Sequence, residues 1–127
     1  MKGCYLLLIE LPIDTKIKKW NLKKGTYVYV GSAMNNIEKR VSRHLSKNKK
    51  LHWHIDYLLD KSNVKSVVMV SSETKCEEKI SLYMSQFFTG PKGFGSSDLK
   101  VQTNLYYIDN FDNFSKILSN ILKGELK

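Results

Sequence analysis

Apolar and polar positions divide this chain into strands and helices by their period. Cys4 to Leu11 (CYLLLIEL) is an almost unbroken apolar run of strand length, which predicts a strand buried on both faces. Thr26 to Val30 (TYVYV) alternates aromatic and β-branched residues and predicts a second strand. Between them Pro12, Asp14, Asn21 and Gly25 predict a loop or long hairpin connection carrying lysines. From Asn35 the period becomes helical. Asn35 with Glu38 fits a capping box, and Ile37, Val41 and Leu45 recur every four residues as a buried stripe. Lys39, Arg40, Arg43, His44 and Lys47 then fall on the opposite, cationic face. Leu51 to Leu59 (LHWHIDYLL) predicts a shorter helix or a turn leading into one, and Val64 to Val70 a third strand. Thr74 is the expected N-cap of a helix carrying Ile80, Tyr83, Met84 and Phe87 inward. Gly90, Pro91, Gly93 and Gly95 in TGPKGFGSSD mark a loop, and Leu105 to Ile108 a short strand. After Asn110, the spacing of Phe114, Ile117, Leu118, Ile121 and Leu122 predicts a helix packed over the sheet. Strands and helices interleave without a linker or an internal repeat, so residues 1–127 read as one mixed α/β domain.

Composition narrows the class. With 42% hydrophobic and 26% charged residues, the chain is an ordinary globular sequence rather than a disordered or fibrous one. Its longest apolar run is far shorter than a membrane-spanning helix requires. The position of that run beside Met1, and Glu10 within it, argue against a secretory signal, so a cytoplasmic protein without a membrane partner is expected. Cys4 and Cys76 are then expected as free, buried thiols and not as a disulfide. Charge adds the first functional indication. The net charge is +9, and eleven basic residues against the single acid Glu38 lie between Lys16 and Lys50, leaving the remainder close to neutral. A concentrated positive field points to a polyanion, of which nucleic acid is the commonest. The competing reading is a solvated lysine-rich surface.

Gly3-Cys4-Tyr5 opening the first strand, Tyr29-Val30-Gly31 closing the second and a helix bearing Arg40 together resemble the core of the GIY-YIG nucleases. The longer runs GTYVYVGSA, RVSRHL, LHWHIDYLL and GFGSSD resemble a less characterised branch of that superfamily, sometimes attached to endonuclease III-type repair glycosylases. The resemblance implies an α+β fold with a small, mainly antiparallel central sheet flanked by helices. It also implies a Mg²⁺- or Mn²⁺-dependent endonuclease acting on DNA, in repair or recombination, and leaves open whether RNA is cut as well. In the family the two motif tyrosines lie near the attacking water, an arginine on the first helix contacts the phosphate, and a glutamate on a later helix holds one divalent ion. Carried across, these are Tyr5, Tyr29, Arg40 and Glu77, with Gly31 allowing close backbone approach. Asn104 is the positional candidate for a late asparagine that many members carry.

The residue types suit the chemistry independently of the resemblance. Phosphodiester hydrolysis needs an activated water, cationic stabilisation of the phosphoryl oxygens and usually a metal. A single carboxylate suffices for Mg²⁺, which keeps most of its waters. Each assignment has a structural competitor. Tyr27 and Tyr29 suit a packed strand. Arg40 suits a solvated face, with Arg43 as the alternative phosphate contact. Glu77, three residues after Thr74, suits a capping box worth about 1 kcal/mol, with Glu78 as the alternative ligand. Lys47, His52 and His54 are candidate substrate contacts, with Trp53 packing or stacking on a base. His44 is a candidate phosphate donor or proton carrier. Two other functions remain: a non-catalytic nucleic-acid-binding module, and a zinc-supported interaction domain built on the H-x-H-x-D run.

Overall fold

The computed structural model describes residues 1–96 and 100–124. Among these, six strands, β1 (Gly3–Leu11), β2 (Thr15–Ile17), β3 (Trp20–Leu22), β4 (Gly25–Ala33), β5 (Asn63–Ser71) and β6 (Leu105–Tyr107), combine with four helices, α1 (Ile37–Leu45), α2 (His54–Leu59), α3 (Glu77–Ser85) and α4 (Phe111–Leu122). The central sheet has the order β5-β1-β4-β6, and all its pairings are antiparallel. This is a mixed α+β fold. Strand period separates two cores. Tyr5, Leu7, Ile9 and Leu11 face Ile37 and Val41 of α1 and Ile55, Leu58 and Leu59 of α2. Cys4, Leu6, Val28 and Val30 face Ile80 and Met84 of α3 and Phe114, Ile117 and Ile121 of α4. Helices on both faces explain why β1 reads as continuous apolar sequence rather than as an alternation.

Several boundaries differ from the sequence expectation. Asn36, not Asn35, caps α1, its side chain accepting from Lys39 N at 2.9 Å. Leu45 is exposed and His44 takes its place against the sheet at 2% exposure. The supposed loop before β4 contains the β2–β3 hairpin, turning at Lys18 with φ +55°. Thr74 caps nothing: it closes a turn with Ser72, and α3 begins at Glu77 with Cys76 at the cap position. Phe87 and Leu122 are exposed rather than inward.

The cysteines also require a correction. Cys4 and Cys76 are disulfide-bonded, their Cα atoms 6.1 Å apart, and are not free thiols. β1 turns Cys4 toward the α3 side of the sheet, and the start of α3 carries Cys76 onto it. Composition could not show that two cysteines 72 positions apart meet. A crosslink of this kind contributes about 2–4 kcal/mol, so a phosphine reductant is expected to lower the melting temperature by roughly 10 °C. Cys76→Ser should melt at the lower temperature with or without reductant, as followed by circular dichroism. Among the described residues no helix is long and apolar enough to cross a membrane.

Candidate active site

Antiparallel register places Tyr5 opposite Gly31 and Tyr29 opposite Leu7, which makes the two tyrosines diagonal neighbours on one face of the sheet. Gly31 is required here, because a Cβ at that position would run into the Tyr5 phenol ring and hydroxyl. At this end of the sheet Tyr5, Tyr29, Arg40, His52, Trp53, His54, Glu77 and Gly95 line one cavity of about 410 Å³. The structure therefore brings together the two tyrosines, the arginine, the glutamate and two of the histidines singled out in the sequence. Arg43, His44 and Lys47 lie outside it, each engaged with other protein groups.

Tyr5 and His44 form a buried pair, with the phenol oxygen 2.7 Å from Nε2. Burial pushes the Tyr5 hydroxyl up to about 12, against a smaller opposing effect from the Arg40 charge. Burial, aided by the Lys49 charge, holds His44 down to about 4, so the imidazole is uncharged near neutral pH. His44 therefore does not belong to the cationic outer face; it is the polar partner of a buried phenol. Burial also raises Tyr29, with the Tyr5 and Glu77 negative forms adding to the effect.

The opposite wall depends on Asn104, which is 1% exposed. Its Nδ2 donates to Glu77 Oε2 at 2.9 Å and to Gly95 O at 3.0 Å. Glu77 is thus the first residue of its helix, oriented by an amide, and not a member of the capping box that Thr74 suggested. Gly95 adopts φ +67° beside Tyr29, where a Cβ would come within 3.1 Å of the ring, and its N–H donates to His54 Nδ1 at 3.1 Å. The described part of the GFGSSD run therefore ties the histidine segment to the glutamate; Ser97 and Asp98 lie outside the described residues.

Arg40 donates to Ser32 O at 3.2 Å and rests over Trp53, 4.6 Å from the ring centroid. Arg43 also lies 4.6 Å from that centroid, but its guanidinium is committed to Asp56 through two hydrogen bonds of 2.8 and 3.0 Å and to Lys50 O at 3.1 Å. Asp56 is fully buried and also accepts from the backbone N–H of His52 and Trp53, both at 2.9 Å. Burial alone would raise its carboxyl pKa; the Arg43 and backbone hydrogen bonds outweigh that and bring it down to about 2. Arg43 is consequently an anchor for the 52–56 segment, and Arg40 is the arginine that reaches the cavity. Lys47 donates to Leu59 O and Ser62 O at 3.3 and 3.4 Å, satisfying carbonyls after α2. Sequence reasoning placed Asp56 only in the H-x-H-x-D run, as part of a zinc alternative, and missed its anchoring role, although its position three residues after Trp53 is where a side chain returns to bond a helix-capping backbone N–H.

Among the described residues, no three His, Cys, Asp or Glu side chains converge as a closed zinc site requires, and His54 already spends Nδ1 on Gly95. The H-x-H-x-D run thus supplies an anchor and a cavity wall, not a zinc ligand set. Glu77, with Oε1 uncommitted among the described residues and an amide holding Oε2, is a donor set suited to an ion taking one carboxylate plus water, such as Mg²⁺ or Mn²⁺. No curated protein and no solved structure matches the chain. The model of the domain of unknown function DUF123 matches residues 4–126, almost the whole chain, and the protein belongs to that family.

Proposed function

We propose that this protein is a metal-dependent endonuclease of the GIY-YIG type that hydrolyses phosphodiester bonds in DNA. The observation carrying the reading is the convergence of two phenols, one guanidinium and one amide-held carboxylate in a single cavity. Glu77 would hold Mg²⁺ or Mn²⁺, which when bound supplies charge for the phosphoryl and leaving oxygens. Arg40, the cavity's arginine, stabilises the phosphoryl oxygens as charge develops on them. Tyr5 Oη, held by its 2.7 Å hydrogen bond to His44 Nε2, accepts a hydrogen bond from the attacking water and orients it, and the water's proton leaves to solvent as the new phosphorus–oxygen bond forms. Tyr29 bounds the other side of the water. Attack is in line, the phosphorus–oxygen bond to the leaving nucleoside breaks, and no covalent enzyme intermediate forms.

Charge around the cavity suits a continuing strand. Glu77 also borders a cavity of about 660 Å³ with Lys75 and Lys79, and Arg40 one of about 510 Å³ with Lys39 and Arg43. Phosphates on either side of the cut would meet Lys75 and Lys79, beside Glu78, on one side and Lys39 on the other. The same charge favours a second reading, a nucleic-acid-binding module without catalysis, and repair or recombination is the setting we propose for either. The test is supercoiled plasmid incubated with the protein in Mg²⁺ or Mn²⁺. Metal-dependent nicking abolished by chelator supports the nuclease. Retention of the plasmid on the protein without nicking, weakening steeply with salt, supports the binding module.

Gly31→Ala provides a local check on the arrangement. The added methyl must displace the Tyr5 ring, so nicking is expected to fall at least roughly tenfold, the scale that small misplacement of a catalytic group produces. Binding of the same plasmid should change little.

A further inference from the structure

The proposed reaction leaves unexplained the part of the cavity wall where His54 stands. Its ring is fixed from three sides. Trp20 meets it nearly edge-on at 4.8 Å between centroids, Phe94 lies at 5.7 Å, and the Gly95 N–H donates to Nδ1 at 3.1 Å. Trp20 is itself pinned by its Nε1–H donating to Lys92 O at 2.7 Å. The Gly95 bond decides the tautomer, because a ring nitrogen that accepts from a backbone N–H carries no proton. The ring hydrogen must sit on Nε2. That atom has no partner among the described residues, in a ring that lines the cavity.

We infer that His54 is a further substrate-contacting residue, a neutral imidazole whose Nε2–H donates to a non-bridging phosphoryl oxygen of the bound strand. This rests on the nuclease reading and adds to it an uncharged donor beside the Arg40 cation. Burial and the neighbouring Lys19 and Lys18 charges lower the basicity of the ring, so it remains the neutral donor and does not act as the general acid for the leaving oxygen. The orientation also couples the two walls. Gly95, which fixes His54, accepts through its carbonyl from Asn104, and Asn104 holds Glu77. A fixed donor of this kind needs no reorganisation as the phosphorane forms, the condition under which such dipoles act strongly.

Two substitutions separate the donor from the clasp. His54→Asn places an amide oxygen near Nδ1 and keeps an acceptor for Gly95, but lacks a donor at the Nε2 position. His54→Gln places an amide NH₂ near Nε2 and gives up the clasp. Single-turnover cleavage of a labelled DNA oligonucleotide should fall about 10²-fold in the Asn variant and much less in the Gln variant. Full activity in the Asn variant would make His54 a structural clasp and overturn the inference. A ¹⁵N-resolved spectrum of the imidazoles gives an arm independent of turnover. With a short thymidine oligonucleotide and no divalent metal, the His54 Nε2–H tautomer and a shift of its signal are expected. An Nδ1–H tautomer, or an unmoved His54 while the Arg40 and Trp53 side-chain signals shift, defeats the inference and leaves the nuclease reading standing. If no signal in the cavity shifts, nucleic-acid binding at this site fails, and the role of His54 falls with it.

Discussion

Arg40→Ala is expected to reduce cleavage by about 10²- to 10³-fold, the scale seen when one transition-state donor is removed, with the melting temperature nearly unchanged. The asymmetry follows from what the side chain does in the fold. Among the described residues it donates to Ser32 O and rests over Trp53, and it is only partly buried. Neither contact fixes the core. Its larger effect is the charge it delivers to the cavity shared with Tyr5, Tyr29 and Glu77. The loss should appear in the single-turnover rate more than in affinity, because lysines flanking the cavity still bind the strand. Arg40→Lys should recover only a fraction, since an ammonium cannot reproduce the planar donor fork.

Asp56→Ala is expected to destabilise the fold by about 3–5 kcal/mol, enough to lower the melting temperature by more than 10 °C. The variant leaves the Arg43 guanidinium and the N–H groups of His52 and Trp53 without the carboxylate that gathers them. The 52–54 wall of the cavity should loosen with it. The pH dependence has a definite sign. The Asp56 carboxyl titrates at about 2 in the folded protein against an ordinary 3.8, so its contribution is present above pH 4 and is lost as pH falls through 2. That window accounts for about 2 kcal/mol. Asp56→Asn should remove that contribution from the acid limb of the stability curve, as measured by denaturant titration from pH 5 to pH 2.

Much of the sheet was legible because burial leaves a period-2 or continuous apolar trace, as in CYLLLIEL and TYVYV. The helical stripe was legible only in part. Each step of four residues along a helix drifts about 40°, so Leu45 has rotated well away from Ile37, while His44, seven residues on, returns to within about 20° of it. Geometry therefore puts the histidine against the sheet, and the Tyr5 hydroxyl makes that burial tolerable by giving it a partner. The β2–β3 hairpin escaped notice because its turn uses Lys18 at positive φ, where glycine or asparagine would have marked it. Thr74 misled for a related reason: its hydrogen bonds go to Ser72, and the start of α3 lies at the cysteine joined to Cys4. At the site, the positions of Tyr5, Tyr29, Arg40 and Glu77 could be named from motif order. Asn104 and His54 could be named as well, but not what they hold, since Asn104 meets Glu77 across 27 residues and His54 meets Gly95 across 41. Motif order favoured Arg40 over Arg43, and the physical reason lies in Asp56, which occupies the Arg43 guanidinium.

The central claim is that Tyr5, Tyr29, Arg40 and Glu77 act on one phosphodiester. Its most direct test is the single-turnover cleavage rate of an end-labelled DNA oligonucleotide in Mg²⁺, measured in parallel for the native protein, Tyr5→Phe, Tyr29→Phe, Arg40→Ala and Glu77→Gln. The account predicts metal-dependent cleavage by the native protein and a loss of about 10²-fold or more in the Arg40 and Glu77 variants, with smaller but clear losses in the two phenylalanine variants. Cleavage at the native rate by all four variants, or none by the native protein in either Mg²⁺ or Mn²⁺, would contradict it.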